Sequence, residues 1–218
     1  MPSLRTRLRR ATIRTVMALL GEALVELAFV GVSSMVAQSP APAPAPRAAW
    51  TPAQEIAAAV LPLPPSLREG ATVYGWRTGR LELLRQGKNG MICLSDDGAK
   101  KNFHVACYQQ ELEPFMARGR ELTWKGMDRS AVDSARLDDL EKGRWKMPAA
   151  PTLLYELSGP DSSFSVATNT VKGARPTYVV YIPYATPATT GLSLEGARGG
   201  IPWMMYPGEP WAHIMINP

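Results

Sequence analysis

Histidine and cysteine are the scarcest reactive side chains in this sequence, two of each in 218 residues. So few imidazoles leave His104 and His213 as the only candidates for histidine acid–base chemistry. Together with Cys93 and Cys107 they make a formal Cys2His2 set. The paired short spacings of zinc fingers and ribbons are missing, so no metal site is assigned. The sequence also lacks G-x-S-x-G, H-E-x-x-H, a P-loop and G-x-G-x-x-G. Their absence removes the nucleophile elbow, the zincin helix, the phosphate cradle and the dinucleotide turn, and no cofactor is expected. Asp96 and Asp97 are not followed by further ligands at EF-hand spacing.

A stripe of one charge is missing as well. The formal charge is +5, but Arg5, Arg7, Arg9, Arg10 and Arg14 crowd the first fourteen residues. Without residues 1–37, 19 Lys and Arg face 17 Asp and Glu, and they are scattered without aromatic interleaving. That pattern excludes a nucleic-acid partner.

What is present begins with a leader. An arginine-rich start, an apolar run from Ile13 to Ala37 and the small residues of Ser34-Met35-Val36-Ala37 have the tripartite form of an export signal over residues 1–37. Glu22 and Glu26 interrupt the run, and carboxylates are costly in lipid. A retained anchor is therefore the competing reading, and membrane contact is expected only through this segment if it is uncleaved. Arg9-Arg10 faintly matches a twin-arginine signal, and no Cys stands at a lipoprotein cleavage point. The expected location is periplasmic or secreted. Residues 38–49 contain Ser39 to Pro46, SPAPAPAP, which favours polyproline II and reads as a spacer.

Residues 50–218 read as one α+β domain with a mainly antiparallel sheet and a helical middle section. Ala48 to Leu61 is expected to be a helix, with Thr51 as N-cap, Pro52 at its first position and Glu55 in its first turn. Ala71–Trp76, Leu81–Arg85, Met91–Leu94 and Phe103–Tyr108 are expected to form a four-stranded antiparallel meander, with Asn89-Gly90 the strongest turn signal. Gln109–Arg120 and Ser130–Gly143 have helical composition, the second capped by Ser130 and ended by Gly143. Strands resume at Thr152–Leu157 and Thr177–Tyr184. Residues 158–175 read as a long loop or weak edge strands, and residues 185–200 as another loop, whose length makes it the expected place for a ligand-facing surface. Ile201 to Ile216, IPWMMYPGEPWAHIMI, reads as a hairpin joined by Pro207-Gly208-Glu209-Pro210. Neither of its faces is polar, so it is expected near the middle of the sheet.

Cys93 and Cys107, an even pair in a chain expected to be exported, are assigned to a disulfide; a metal ligand pair and a reactive thiol are the alternatives. The bridge would close a loop of about 15 residues, worth about 3 kcal/mol in the chain-entropy picture. His213 shares a strand face with Trp211 and Met215, where a neutral imidazole bonded to a backbone carbonyl is the simplest reading. Glu111 and Glu113, at a helix start, suit the helix dipole and are weak candidates as catalytic partners of His213. Trp203, Tyr206 and Trp211 are either core or the wall of an apolar ligand pocket.

Leu84-Arg85-Gln86-Gly87-Lys88-Asn89-Gly90-Met91-Ile92-Cys93, then Ala106-Cys107, and the run from Pro202 to His213 resemble a group of uncharacterised bacterial secreted proteins. These share an LR-x-G-x-N-G-x-x-C segment, a second Cys and a terminal M-x-x-P-G-x-P-W-A-H segment. The resemblance spans Ala71 to the C-terminus and implies a secreted or periplasmic domain without bringing an activity. The functional expectation is a non-enzymatic binding or structural module of the cell envelope, its small ligand or envelope partner unidentified. The alternative is a hydrolase-like enzyme with His213 as general base.

Overall fold

A computed structural model describes residues 50–77 and 79–218, so the expected export signal and the whole of the expected spacer lie outside the described residues. The first helix, α1 (Pro52–Ala59), begins at a reciprocal cap. Thr51 Oγ1 accepts the Gln54 backbone N–H at 3.3 Å, and the Gln54 side chain accepts the Thr51 N–H at 2.8 Å. Such a cap contributes about 1 kcal/mol. Glu55 is therefore not the capping partner. It turns inward, 5 % exposed, where Arg77 pairs with it at 2.8 Å and the Ser95 hydroxyl donates to it at 3.1 Å. A short helix, α2 (Pro65–Arg68), follows.

β1 (Thr72–Arg77) and β2 (Arg80–Arg85) form the expected antiparallel hairpin. The meander stops there. β3 (Met91–Leu94) lies parallel to β1, on the side away from β2, and only then pairs antiparallel with β4 (Asn102–Gln109). The cause is the segment 86–90, which crosses the start of β1 instead of making a hairpin. Lys88 N–H and Asn89 N–H both donate to the Gly70 carbonyl, at 2.7 and 3.1 Å. Asn89 ties itself to the Leu67 carbonyl at 2.7 Å and the Met91 N–H at 3.0 Å. Gly87 sits so close to the backbone of Ala71 and Thr72 that a Cβ there would collide with it.

The helical middle holds α3 (Glu113–Trp124) and α4 (Arg129–Glu141). Asp128, not Ser130, caps α4, its Oδ1 accepting the Ala131 N–H at 2.9 Å; a carboxylate also complements the helix dipole there. Gly143 ends the helix at φ +68°, with Arg144 N–H donating to the Asp139 carbonyl at 2.9 Å. The remaining elements are β5 (Thr152–Pro160), β6 (Phe164–Ser165), β7 (Thr170–Val171), β8 (Arg175–Tyr181), α5 (Pro187–Thr190), β9 (Trp203–Met205) and β10 (His213–Ile216).

Eight strands make one sheet in the order β2-β1-β3-β4-β5-β8-β10-β9, while β6 and β7 pair by themselves. The fold is α+β, as the order of elements implies. Its faces are set by register. Cys93 lies opposite Cys107 and is disulfide-bonded to it, both 0 % exposed. With Val73 they pack against Ala59 at the end of α1 and Leu63 just beyond it. Along the same face Phe103 and Val105 meet Trp50 and Phe164. The alternate residues Tyr108, Leu154, Val179 and Tyr181 take the other face, under Leu112, Phe115 and Leu137 of the helical section.

The C-terminal hairpin forms, with Met204 opposite Ile214, but at the border of the sheet and not at its middle. β9 is the outermost strand, three residues long, and its free side is closed by the loop before it. Met204 N–H donates to the Ser193 carbonyl at 2.8 Å, and Ser193 bridges Trp203. A short strand under a loop is a safe edge, so apolar side chains on both faces did not require a central place. No helix among the described residues is long and apolar enough to cross a membrane.

Candidate functional site around His213

β10 carries His213 onto the sheet face that α3 and α4 cover. It lies opposite Tyr181 of β8 on one side and Met205 of β9 on the other. The imidazole is 8 % exposed, with its ring 5.1 Å from the Tyr181 ring and 5.6 Å from the Tyr206 ring. Its Nδ1 lies 2.8 Å from the Trp211 carbonyl oxygen, which can only accept, so Nδ1 carries the proton. Burial lowers the His213 pKa, the Trp211 carbonyl opposes that, and Arg129 adds to the lowering. The ring is neutral near pH 7.

Tyr206 stands in the turn between β9 and β10 at φ +53°, a left-handed conformation that non-glycine residues rarely hold. Its hydroxyl accepts a hydrogen bond from Arg129 at 2.7 Å. Arg129, Asp133 and Arg136 occupy successive turns of one side of α4, and the two arginines share the Asp133 carboxylate at 3.2 and 3.5 Å. Arg136 is drawn inward, its guanidinium 3.9 Å from the Phe115 ring centroid and donating to the Phe115 carbonyl at 3.0 Å. It crosses α3 at Gly119, the position where a Cβ would strike the guanidinium. Burial lowers the Arg136 pKa, against the pull of Asp133. The Tyr181 phenol is pushed up to about 12 by burial, with both arginines opposing.

The three aromatic residues read as either core or the wall of a ligand pocket go to different places. Trp211 is 6 % exposed and stacks on Phe115 at 5.9 Å, inside the core. Trp203 is half-buried, its ring 3.6 Å from the place a Cβ of Gly196 would take. Of the three rings, that of Tyr206 is the one in contact with the His213 imidazole. Neither carboxylate considered as a partner shares a hydrogen bond with the imidazole. Glu111 is exposed. Glu113 accepts from the Tyr108 hydroxyl at 2.5 Å and from Arg120 at 2.7 Å, and Arg120 also donates to the Tyr108 oxygen at 2.8 Å, a closed triangle. Burial raises the Tyr108 pKa well above the usual tyrosine range.

His104 lies exposed on β4 and pairs with Glu156 at 3.2 Å. Asp96 accepts the His104 backbone N–H at 2.7 Å and Asp97 that of Ala99 at 3.2 Å, so both serve the β3–β4 turn. No group of three or more metal-ligating side chains occurs among the described residues. Sequence reasoning missed Arg129, Arg136 and Tyr181. For the two arginines the one signal was the spacing of residues 129, 133 and 136, which puts them on one side of a helix; Tyr181 had only its place in a strand.

Chemically, a histidine whose Nδ1–H is bonded to a main-chain carbonyl, beside phenols and guanidinium groups, is an orientation and packing element. Among the described residues no carboxylate is bonded to it to hold a charged imidazolium, as a general base requires. A cavity of about 370 Å³ opens elsewhere, where the end of α4 meets the end of β8, and His213 is not one of its walls. Comparison with protein-family models, with curated proteins and with solved structures gave no match.

Proposed function

We propose that the chain is an exported, non-enzymatic binding or structural module of the cell envelope. The observation that carries this reading is the seal on His213: buried, neutral, its one proton donor fixed on the Trp211 carbonyl, and no carboxylate among the described residues bonded to it. A general base needs the opposite, an accessible nitrogen and a partner for the charge it acquires. The Cys93–Cys107 disulfide supports an oxidising destination, and the resemblance to secreted proteins points the same way.

The experiment is expression of the whole chain, leader included, in a bacterium with a periplasm. Fractionation and intact-mass measurement should place it outside the cytoplasm, and the isolated protein should turn over none of a panel of chromogenic esters, glycosides and peptides. Turnover that disappears in His213→Asn would sink the non-enzymatic reading. Retention in the cytoplasm with both thiols free would sink the export reading.

A further inference from the structure

The cavity at the end of α4 is lined by Trp145, Lys146, Met147, Pro148, Pro183 and Tyr184, among others. Its volume, about 370 Å³, falls within the range of small-molecule sites and toward its lower end, enough for one or two fused rings. Two features make it a built site. Trp145 is held from behind by Phe115, ring centroids 5.8 Å apart, so this wall belongs to the core cluster. Tyr184 is held at φ +63°, a conformation that suits glycine, and its N–H is fastened to the Glu209 carbonyl at 2.9 Å. Yet the residue is 57 % exposed. Left-handed backbone at a bulky residue is costly, and an exposed ring gains little from packing in return. The Ala185 N–H donates to the Ile182 carbonyl at 3.1 Å, so Tyr184 takes the position after Pro183 in a turn, where glycine is the usual residue. A tyrosine placed there, exposed at the wall of a cavity, is available for contact with something else.

The lining also states what that something is. Indole, phenol and proline surfaces call for a flat apolar body. Lys146 is the one charged side chain among the described residues that line the cavity, and no carboxylate joins it. A cationic ligand would find no counter-charge, whereas an anionic one would.

We propose that this cavity binds a small aromatic carboxylic acid, its ring against Trp145 and Tyr184 and its carboxylate at Lys146. The proposal deepens the binding-module reading and rests on it. The test is calorimetric titration of the full exported chain with indole-3-acetate, with its neutral amide and with acetate. Indole-3-acetate is expected to bind saturably with a Kd at or below about 1 mM, the amide about tenfold more weakly, and acetate not at all. Tyr184→Gly should fold at least as stably, because glycine adopts the left-handed conformation freely, yet lose about tenfold or more in affinity. Lys146→Gln should weaken the acid and leave the amide unchanged. Absence of saturable binding, equal affinity for acid and amide, or unaltered binding in Tyr184→Gly would each overturn the assignment. So would tighter binding of a proline-rich octapeptide than of indole-3-acetate. A folded, exported and catalytically silent chain that ignores these probes refutes the cavity proposal alone. Turnover dependent on His213 refutes the module reading instead.

Discussion

His213 shows how one side chain couples its surroundings to the stability of the whole. Its folded pKa is lowered from the ordinary value of 6.5, first by burial. Below about pH 6.5 the unfolded chain takes up a proton at this residue that the folded chain refuses, so unfolding gains. The contribution is therefore fully present above the unfolded pKa and is lost as the pH falls beneath it. Melting temperatures between pH 7.5 and pH 5 should drop more steeply for the native chain than for His213→Gln. An identical slope in the two would mean that other groups carry the effect. The backbone-bonded imidazole was legible beforehand, because strand alternation puts residue 213 on a face with Trp211 and Met215. The arginine above it was not, since Arg129 reaches Tyr206 across a sequence separation of 77 residues.

Among the elements, α1 shows which of two polar features matters more. Its cap is exposed, and Thr51→Ala should cost about 1 kcal/mol, the usual worth of such a cap. Glu55, by contrast, is 5 % exposed between Arg77 and Ser95. Removing the arginine leaves a buried carboxylate with only a hydroxyl for company. Arg77→Met should therefore cost more than the cap, on the order of 2 kcal/mol, somewhat below the value for a fully buried pair because Arg77 is one-third exposed. Urea unfolding of the two variants checks the order, and a smaller loss for Arg77→Met would show that Glu55 is not held as described. The helix itself was written in Thr51 and Pro52, which act within one turn. The role of Glu55 was not, because a first-turn carboxylate serves a helix dipole and a buried ion pair equally well until a strand arrives beside it.

At the scale of the molecule, the disulfide joins directly opposed residues of β3 and β4 beneath α1. It clamps the half of the sheet where the strand order departs from a meander. The native protein should present no thiol to a thiol-reactive dye. Cys93→Ser with Cys107→Ser should unfold at lower denaturant, by about 3 kcal/mol if loop entropy dominates. Two titratable thiols in the native state would dismiss the bridge. The sequence by itself determined what acts locally: the capped start of α1, the hairpin of β1 and β2, the two helices of the middle section, the terminal hairpin and the pairing of two lone cysteines. Only the tertiary structure decided that β3 returns parallel to β1, that the terminal hairpin borders the sheet, that Trp211 belongs to the core, and that Trp145 and Tyr184 come together at one cavity. The physical reason is the range of the interactions. Caps, turns and alternation are settled within a few residues. Strand order, burial and the meeting of residues 145 and 184 depend on competition among segments distant in the chain, which no short window of residues records.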